Sequence, residues 1–291
     1  MKSDLKSAII NCYITGNREN KERTSKMHIF DAHVHIYPDK IAEKASQHVG
    51  EFYNITMNFD GKIGTMVEKW RKHGVERCLV HSVATTHDQV PKINDFIKAS
   101  VDASDGMFVG FCTLHPSMSA KEVEDEIERI IGMGLKGVKL HPDCQKFQID
   151  EPAAMQMYEI IDGRVPILFH TGDKRYDYSN PDRMRAAAKR FPRQKMIGAH
   201  LGGYSVWEKA VPVLADLENM WFDESSSLAF ITPEQAKEYI NAYGADRVFF
   251  GTDYPMWDIG DELERFDRID LTDSQREKIL WTNINKFLGL L

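Results

Sequence analysis

The stretch Ile29–His35, IFDAHVH, decides the fold, because it joins a strand pattern to three chemically active side chains. Apolar residues lead into it, and Asp31, His33 and His35 then recur at every second position. In an extended chain, residues i and i+2 point to one face and lie roughly 6.6 Å apart. We therefore expect a strand with both imidazoles close enough to bind one cation. A strand with polar residues facing solvent is the alternative, and His-x-His alone does not decide between them.

The composition is that of an ordinary globular protein and excludes several classes of function. Of 291 residues, 42% are hydrophobic and 28% are charged, so the chain can bury a sizeable core. The net charge of -7 and the lack of a basic stripe argue against nucleic-acid and membrane partners. The four cysteines form neither a Cys-x-x-Cys pair nor a disulfide framework, a usage typical of cytoplasmic proteins.

Residues 1–26 differ from the rest of the chain. They are polar and rich in Lys and Arg, and they have no apolar segment long enough for a secretory signal. Met27 stands directly before the first strand. Our hypothesis is that Met27 is the natural start and that residues 1–26 are an extension. The alternative is that residues 1–26 form a flexible polar arm. Residues 27–291 form the predicted domain.

From Met27 onward, strand-like runs alternate with helical patterns. The eight runs begin at Met27, Val75, Met107, Leu135, Val165, Lys195, Met220 and Arg247. Alternating strands and helices predict parallel strands joined by crossover helices, and eight such units over about 265 residues are typical of a (β/α)₈ TIM barrel. We therefore predict an α/β fold, a single-domain (β/α)₈ TIM barrel. The long first interval, roughly 36–61, predicts an inserted lid or substrate loop after the first strand.

Helix start signals support this arrangement. Ser119, Asn180, Thr232 and Thr272 each stand where an N-cap is expected, and proline follows two of them. The predicted helices cover 120–133, 182–190 and 234–243, with a last helix from Thr272 to about Leu288.

Histidine is concentrated at the predicted strand ends, where TIM barrels carry their chemistry. Seven of the 11 histidines fall there, together with Asp253: they are His33, His35, His81, His115, His141, His170 and His200. We expect His81 and His115 to be hydrogen-bonded packing residues under the rim of the site. The four other histidines, which lie elsewhere, are assigned to structure or surface.

Four motifs at matching strands resemble those of a known family. They are DAHVH at 31–35, FHTG at 169–172, AHLGG at 199–203 and GTDYP at 251–255. In this order they resemble the amidohydrolase superfamily, specifically the amidohydrolase-2 group that includes aminocarboxymuconate-semialdehyde decarboxylase. The resemblance extends to the final helix, where 279–287 is similar to the family's closing segment.

The resemblance implies one divalent metal ion, most commonly Zn²⁺ with Mn²⁺ as an alternative, bound by His33, His35, His170 and Asp253. A metal ion of this kind lowers the pKa of bound water to about 7. His200 would act as general base or polarise a substrate carbonyl, and Asp253 is the alternative base. Relatives in the family are often dimers, so a homodimer is also an expectation.

Two further residues are expected behind the ligands. Asp31 either orients a ligand histidine or closes the strand by hydrogen bonding. Lys139 matches the strand-four lysine that is carboxylated in two-metal relatives, so a dinuclear site stays open beside the mononuclear one. The alternative for Lys139 is a buried charge paired with a carboxylate.

The substrate is expected to be a small polar or carboxylate-bearing molecule. Residues on the predicted catalytic loops that would contact it are His141, Arg175, Tyr37 and Tyr254.

We predict a metal-dependent hydrolase acting on a C–N or C–O acyl bond, with a non-oxidative decarboxylase as the alternative on the same scaffold. An inactive binding protein would require a broken ligand set, whereas every ligand position here is filled. A metal-free lactonase is disfavoured by the intact His170.

Overall fold

The computed structural model describes residues 27–291, so the predicted extension 1–26 lies outside the described residues. Eight parallel strands form one sheet in the order β1 to β8, each paired with the next. The strands are β1 Ile29–His35, β2 Val75–His81, β3 Phe108–Thr113, β4 Gly137–Leu140, β5 Ile167–Phe169, β6 Met196–Gly198, β7 Met220–Asp223 and β8 Val248–Phe249. The amide of Ala32 donates to the carbonyl of Phe250 and that of Asp253 to the carbonyl of His33, each at 2.8 Å. These bonds join the first strand to the end of the last one, which confirms the predicted (β/α)₈ barrel.

Helices follow the strands along the chain. The α-helices span Asp39–Tyr53, Ile63–Lys72, Val90–Ala103, Ala120–Gly132, Pro142–Gln145, Pro152–Ile161, Pro181–Arg190, Trp207–Leu214, Pro233–Tyr243, Ile259–Asp267, Asp273–Glu277 and Asn283–Leu288. The predicted caps are present: Ser119, Thr232 and Thr272 each close a capping box, and Asn180 accepts from the amide of Asp182. None of the described helices is long and apolar enough to span a bilayer.

The last predicted helix is not continuous. A π-helical turn at Lys278–Thr282 interrupts it. The carbonyl of Ile279 accepts a hydrogen bond from the amide of Phe250, and the Asn283 side chain donates to the carbonyl of Val248. These bonds to β8 and to the residue after it compete with the regular helical ladder, which accounts for the interruption.

Two apolar layers surround the strands. Inside the barrel, one cluster includes Phe30, Leu79, Phe111, Leu168 and Phe249, and the final helix packs against it through Ile284, Phe287 and Leu288. A larger cluster fills the space between the strands and the helices. The final helix thus closes one end of the barrel, which leaves the carboxyl ends of the strands for the polar residues.

One extra residue in β1 changes the face to which its side chains point. Asp31 pairs with Cys78 on β2, and Val34 pairs with Val80. Between these two pairs β1 moves on by three residues and β2 by only two, so β1 contains one extra residue. Such a bulge redirects the side chains that follow it. Asp31 accordingly contacts Trp70 of an outer helix, with 2.7 Å between its Oδ2 and the indole nitrogen. The expectation that Asp31, His33 and His35 share one face is therefore wrong for Asp31.

The interval after β1 is a helix rather than a loop. Helix Asp39–Tyr53 has 15 residues and ends at Asn54, whose backbone is left-handed with φ 55°. Its last residues, Phe52 and Tyr53, reach over the ends of β4 and β5, where the Tyr53 hydroxyl lies 2.7 Å from Nε2 of His141. The inserted segment therefore covers the carboxyl end of the barrel.

A pair of buried acids lies between the barrel and helix Ile259–Asp267. Glu224, directly after β7, and Glu262 of that helix are both fully buried. Glu262 pairs with Arg265, and Glu224 accepts from the amide of Gly251 at 3.4 Å. Burial raises the pKa of Glu262 to about 7, and burial together with the neighbouring Glu262 raises the pKa of Glu224 well above its usual value.

This pair predicts a stability that falls as pH rises. The folded chain keeps protons that the unfolded chain releases above pH 4.5, so the free energy of unfolding decreases from there to about pH 7 and beyond. Glu224→Gln removes one of the two acids while keeping its shape. We expect the variant to be more stable than the wild type at pH 8, by roughly 1–3 kcal/mol, and equal to it at pH 5.

Urea unfolding at both pH values measures this difference. Glu264→Gln, an exposed position on the same helix, is the matched control and should match the wild type at both pH values. An equal effect of Glu224→Gln at pH 5 and pH 8 would contradict the assignment.

Candidate metal centre and active site

Three acceptor atoms meet at the carboxyl end of the barrel. Nε2 of His33, Nε2 of His35 and Oδ1 of Asp253 lie 3.4 Å apart in each pairing. Two ligands that bind one tetrahedral ion at 2.0–2.2 Å are separated by roughly 3.4 Å. The spacing of these atoms therefore fits a divalent metal ion.

The outer nitrogens of three histidines are fixed by acceptors. His33 Nδ1 lies 3.0 Å from Oδ2 of Asp223, His200 Nδ1 lies 2.9 Å from the carbonyl oxygen of Ser225, and His170 Nε2 lies 3.1 Å from the carbonyl oxygen of Gly172. A carbonyl or carboxylate can only accept, so each of these ring nitrogens carries the proton. The other nitrogen of each ring is then a lone pair, the form that binds a metal ion.

The lone pairs of His170 and His200 face each other. Nδ1 of His170 and Nε2 of His200 are 3.0 Å apart, and neither has a proton to share in these tautomers. Two acceptors at this distance require a cation, either a proton or a metal ion, to hold them together. We define the histidine–aspartate cluster as His33, His35, His170, His200 and Asp253.

Burial keeps three histidines of the cluster neutral. Burial lowers the pKa of His33 and His170 well below the usual value, and it lowers the pKa of His35 to about 3. Neutral imidazole is the metal-binding form, so these groups are ready to bind at physiological pH.

Asp253 supplies the negative charge of the cluster. Burial raises its pKa, but the rings of His33, His200 and His35 and a hydrogen bond from Ser226 outweigh this effect and leave the pKa at about 2. Ser226 Oγ donates to Oδ2 at 2.6 Å, which leaves Oδ1 directed at the histidines. Asp253 has a left-handed backbone with φ 62°, and a conformation of that kind is often found at functional sites.

Lys139 is fully buried, with its ammonium nitrogen 3.1 Å from Nε2 of His33. Burial lowers its pKa to about 8, against the attraction of Asp223 and Asp253. Its closest described partner is thus His33, while the carboxylates of Asp223 and Asp253 compensate its charge at longer range.

A cavity of about 380 Å³ opens beside the cluster. Four members of the cluster line it, namely His35, His170, His200 and Asp253. The apolar part of its wall comes from Ala45, Val49, Phe52, Met57, Val83, Pro255 and Met256. Its volume is near the lower end for ligand sites and suits a small molecule.

A family model described as amidohydrolase matches residues 30–290. The chain belongs to the amidohydrolase family. A search among curated proteins found no match.

Solved structures share the fold of this amidohydrolase at low sequence identity. An uncharacterized TIM-barrel protein from Bordetella bronchiseptica matches with a TM-score of 0.76 and 18% identity, over 90% of this chain and 99% of that one. 2,6-Dihydroxybenzoate decarboxylase from Rhizobium has a TM-score of 0.70 and 17% identity, over 91% and 99%. A dihydroxybenzoic acid decarboxylase from Polaromonas, solved with manganese and the inhibitor 2-nitroresorcinol, has a TM-score of 0.69 and 17% identity, over 91% and 98%.

Two of the four expected substrate residues face the cavity of the amidohydrolase. Tyr37 and His141 line it, and the ring of His141 stacks on that of His170 with 4.0 Å between centroids. Tyr254 does not line it: the side chain is buried against Trp70, and its hydroxyl donates to the carbonyl of Lys62 at 2.7 Å. Tyr254 thus packs behind the site, where its hydrogen bond to Lys62 holds it.

Arg175 is also placed outside the cavity. It forms an ion pair with the buried carboxylate of Asp173 at 2.6 Å and donates to the carbonyl of Phe52. Its guanidinium lies 4.8 Å from the centre of the Phe52 ring and 5.2 Å from that of Tyr53. The attraction of Asp173 thus holds Arg175 against the end of the inserted helix, away from the position expected for a substrate contact.

Asp31 stabilises the bulge in β1. Its Oδ1 accepts from the amides of His33 and Thr252, and its Oδ2 accepts from the Thr252 hydroxyl and from Trp70. It has no contact with a ligand ring, so the alternative of closing the strand by hydrogen bonds describes it better.

His81 and His115 each meet only half of the expectation of hydrogen-bonded packing: among the described residues His81 is packed but not hydrogen-bonded, and His115 is hydrogen-bonded but only half-buried. His81 is fully buried against His35, with 4.4 Å between ring centroids, and within residues 27–291 neither of its ring nitrogens has a hydrogen-bond partner. His115 is half-buried, and its Nδ1 lies 2.7 Å from the hydroxyl of Ser117.

Sequence reasoning missed Asp223 and Tyr53. Asp223 is the last residue of β7, and its position at a strand end was the available signal. Tyr53 lies in the insertion, where only the position after the first strand indicated a role.

Asp223 generates a prediction for metal binding. In Asp223→Asn the amide no longer offers His33 a charged acceptor, and an outer partner of this kind typically contributes 10–100-fold to metal affinity. We expect the variant to lose Mn²⁺ or Zn²⁺ at roughly 10–100-fold lower chelator concentration, as measured by elemental analysis after dialysis. Asp216→Asn, an exposed control, should behave like the wild type. Equal metal retention in both variants would show that Asp223 does not support the ligand.

Proposed function

We propose that this chain is a metal-dependent non-oxidative decarboxylase that acts on a small, planar carboxylic acid of the hydroxybenzoate class. One divalent ion would be bound by Nε2 of His33, Nε2 of His35, Nδ1 of His170 and Oδ1 of Asp253. The named decarboxylases with the same fold support this reaction over the acyl hydrolysis that was our first expectation. The bound manganese in one of them supports Mn²⁺ as well as Zn²⁺.

The observation that carries this proposal is the apolar wall facing the histidine–aspartate cluster. Its side chains offer no hydrogen bonds, so they remove water from a carboxylate while tolerating an aromatic ring and uncharged CO₂. The composition of this wall therefore favours loss of CO₂.

The reaction breaks the bond between the carboxyl carbon and the ring. CO₂ leaves without charge, the electron pair stays on the ring carbon, and that carbon takes up one proton. When bound, the metal ion supplies positive charge that holds the oxygen atoms of the substrate. Nothing else in the reaction requires an oxidant or a second substrate.

One residue of the cluster, His200, is placed to hold the transferred proton. His200 lines the cavity with Nε2 directed at its neighbours, because its Nδ1 is bound to the Ser225 carbonyl. Asp253 also lines the cavity, and its Oδ2 is occupied by Ser226. We assign proton delivery to His200 Nε2, a lone pair in the resting tautomer that first takes up a proton from solvent. Oδ1 of Asp253 is a proposed metal ligand and leaves this role to His200.

The ligand assignment predicts the metal content. We expect about one Mn²⁺ or Zn²⁺ per chain in the wild type and loss of most of it in His170→Ala and Asp253→Asn, because each variant removes one ligand. His73→Ala, an exposed histidine, is the control. Elemental analysis of the folded proteins gives the result. Close to two ions per chain would instead support a dinuclear site with Lys139, and retention in both ligand variants would contradict the assignment.

The reaction itself is tested with the metal-loaded protein and a panel of hydroxybenzoic acids. We expect release of CO₂, loss of activity on chelation, and a fall of at least roughly 100-fold in kcat for His200→Asn, since a positioned acid typically contributes 10²–10⁴-fold. In D₂O the product should carry one deuterium on the carbon that lost CO₂. Turnover of amides or lactones without CO₂ release from any acid would contradict the proposal and favour hydrolysis.

A further inference from the structure

The hydroxyl of Tyr53 is held above the histidine–aspartate cluster with a proton that no described side chain fully accepts. Its oxygen lies 2.7 Å from Nε2 of His141. Nδ1 of His141 accepts from the amide of Cys144 at 3.3 Å, so the proton of this neutral ring is on Nε2. His141 therefore donates to Tyr53, and the hydroxyl proton of Tyr53 is left for another acceptor.

His170 is a poor acceptor for that proton. Both of its ring nitrogens lie 3.4 Å from the Tyr53 oxygen. The hydroxyl is therefore equally distant from the two nitrogens and is not directed along the lone pair of either one. Nε2 of His170 already donates to the Gly172 carbonyl, and Nδ1 faces His200. Tyr53 lines the cavity, so the remaining direction for its proton is toward a bound ligand.

The position of Tyr53 is fixed from outside the cavity. Arg175 donates to the carbonyl of Phe52, and its guanidinium packs on the rings of both Phe52 and Tyr53. Asp173, buried at 4% exposure, in turn holds Arg175 through a 2.6 Å ion pair. Tyr53 is thus held at its ring and through the carbonyl of the residue before it, so it loses little conformational freedom when a ligand binds.

We propose that Tyr53 is a substrate-recognition residue whose hydroxyl donates a hydrogen bond to the carboxylate of the bound acid, with His141 as its supporting donor and Arg175 as a positioning residue. A carboxylate is an acceptor only, so it matches a hydroxyl whose oxygen is already occupied. This inference rests on the proposed function, since it names the contact by which that site recognises an acid.

The hydrogen bond from Tyr53 stabilises the bound acid but not the CO₂ that leaves it. The carboxylate loses its charge as the C–C bond breaks, so the hydrogen bond weakens during the reaction. Removal of the hydroxyl therefore raises KM without lowering kcat, which separates a recognition role from a catalytic one.

The test compares an acid with its decarboxylated counterpart. Binding of 2,6-dihydroxybenzoate and of resorcinol to the Mn²⁺-loaded protein is measured by titration calorimetry for the wild type, Tyr53→Phe and Tyr176→Phe. A hydrogen bond to a charged group contributes about 10–100-fold in affinity. We expect Tyr53→Phe to weaken the acid by that factor and to change resorcinol less than roughly twofold.

Tyr176→Phe is the matched control, because Tyr176 also packs on Phe52 but is 41% exposed and does not line the cavity. It should leave both affinities unchanged, and metal content should be equal in all three proteins. Equal weakening of acid and resorcinol in Tyr53→Phe would overturn the inference, as would a wild type that does not bind the acid more tightly than resorcinol. A Tyr53-dependent preference for the acid without CO₂ release would contradict the proposed reaction and leave this contact supported.

Discussion

The extra residue in β1 is the constraint on which the site depends. With strict alternation, His33 would lie on the same face as Asp31, outside the barrel beside Trp70. The bulge between Asp31 and Val34 turns His33 inward, so that it joins His35. Asp31 stabilises this conformation, because its carboxylate accepts a hydrogen bond from the amide of His33. The irregular strand pairing would otherwise leave that amide without a partner.

Two other members of the histidine–aspartate cluster are likewise oriented by backbone carbonyl groups. His170 is oriented by the carbonyl of Gly172, two residues further along, and His200 by that of Ser225 after β7. His200 itself has φ 58°, a left-handed conformation that directs its side chain away from the position that simple alternation would give. The inward lone pairs are thus a product of the barrel backbone, which is why rigid strand ends suit a metal centre.

The fold and the cluster could be predicted from the sequence because both follow from regular patterns. Strand spacing gave the barrel, and histidines at strand ends gave His33, His35, His170 and His200. Departures from regularity could not be predicted in this way. The bulge at Asp31, the outward turn of Tyr254 and the π turn at Lys278–Thr282 each depend on a hydrogen bond to a residue distant in the sequence. Arg175 was misplaced for the same reason, since its position is decided by Asp173 and by the end of an inserted helix.

That inserted helix separates the metal chemistry from the choice of substrate. The eight repeating units bring together ligands that would serve hydrolysis and decarboxylation alike, so the cluster alone does not select a reaction. Helix Asp39–Tyr53 contributes Ala45, Val49 and Phe52 to the apolar wall and Tyr53 to the polar side of the cavity. In the proposed reaction the wall would exclude water and Tyr53 would bind the acid, so an element outside the barrel repeat would decide which of the two reactions the shared cluster supports.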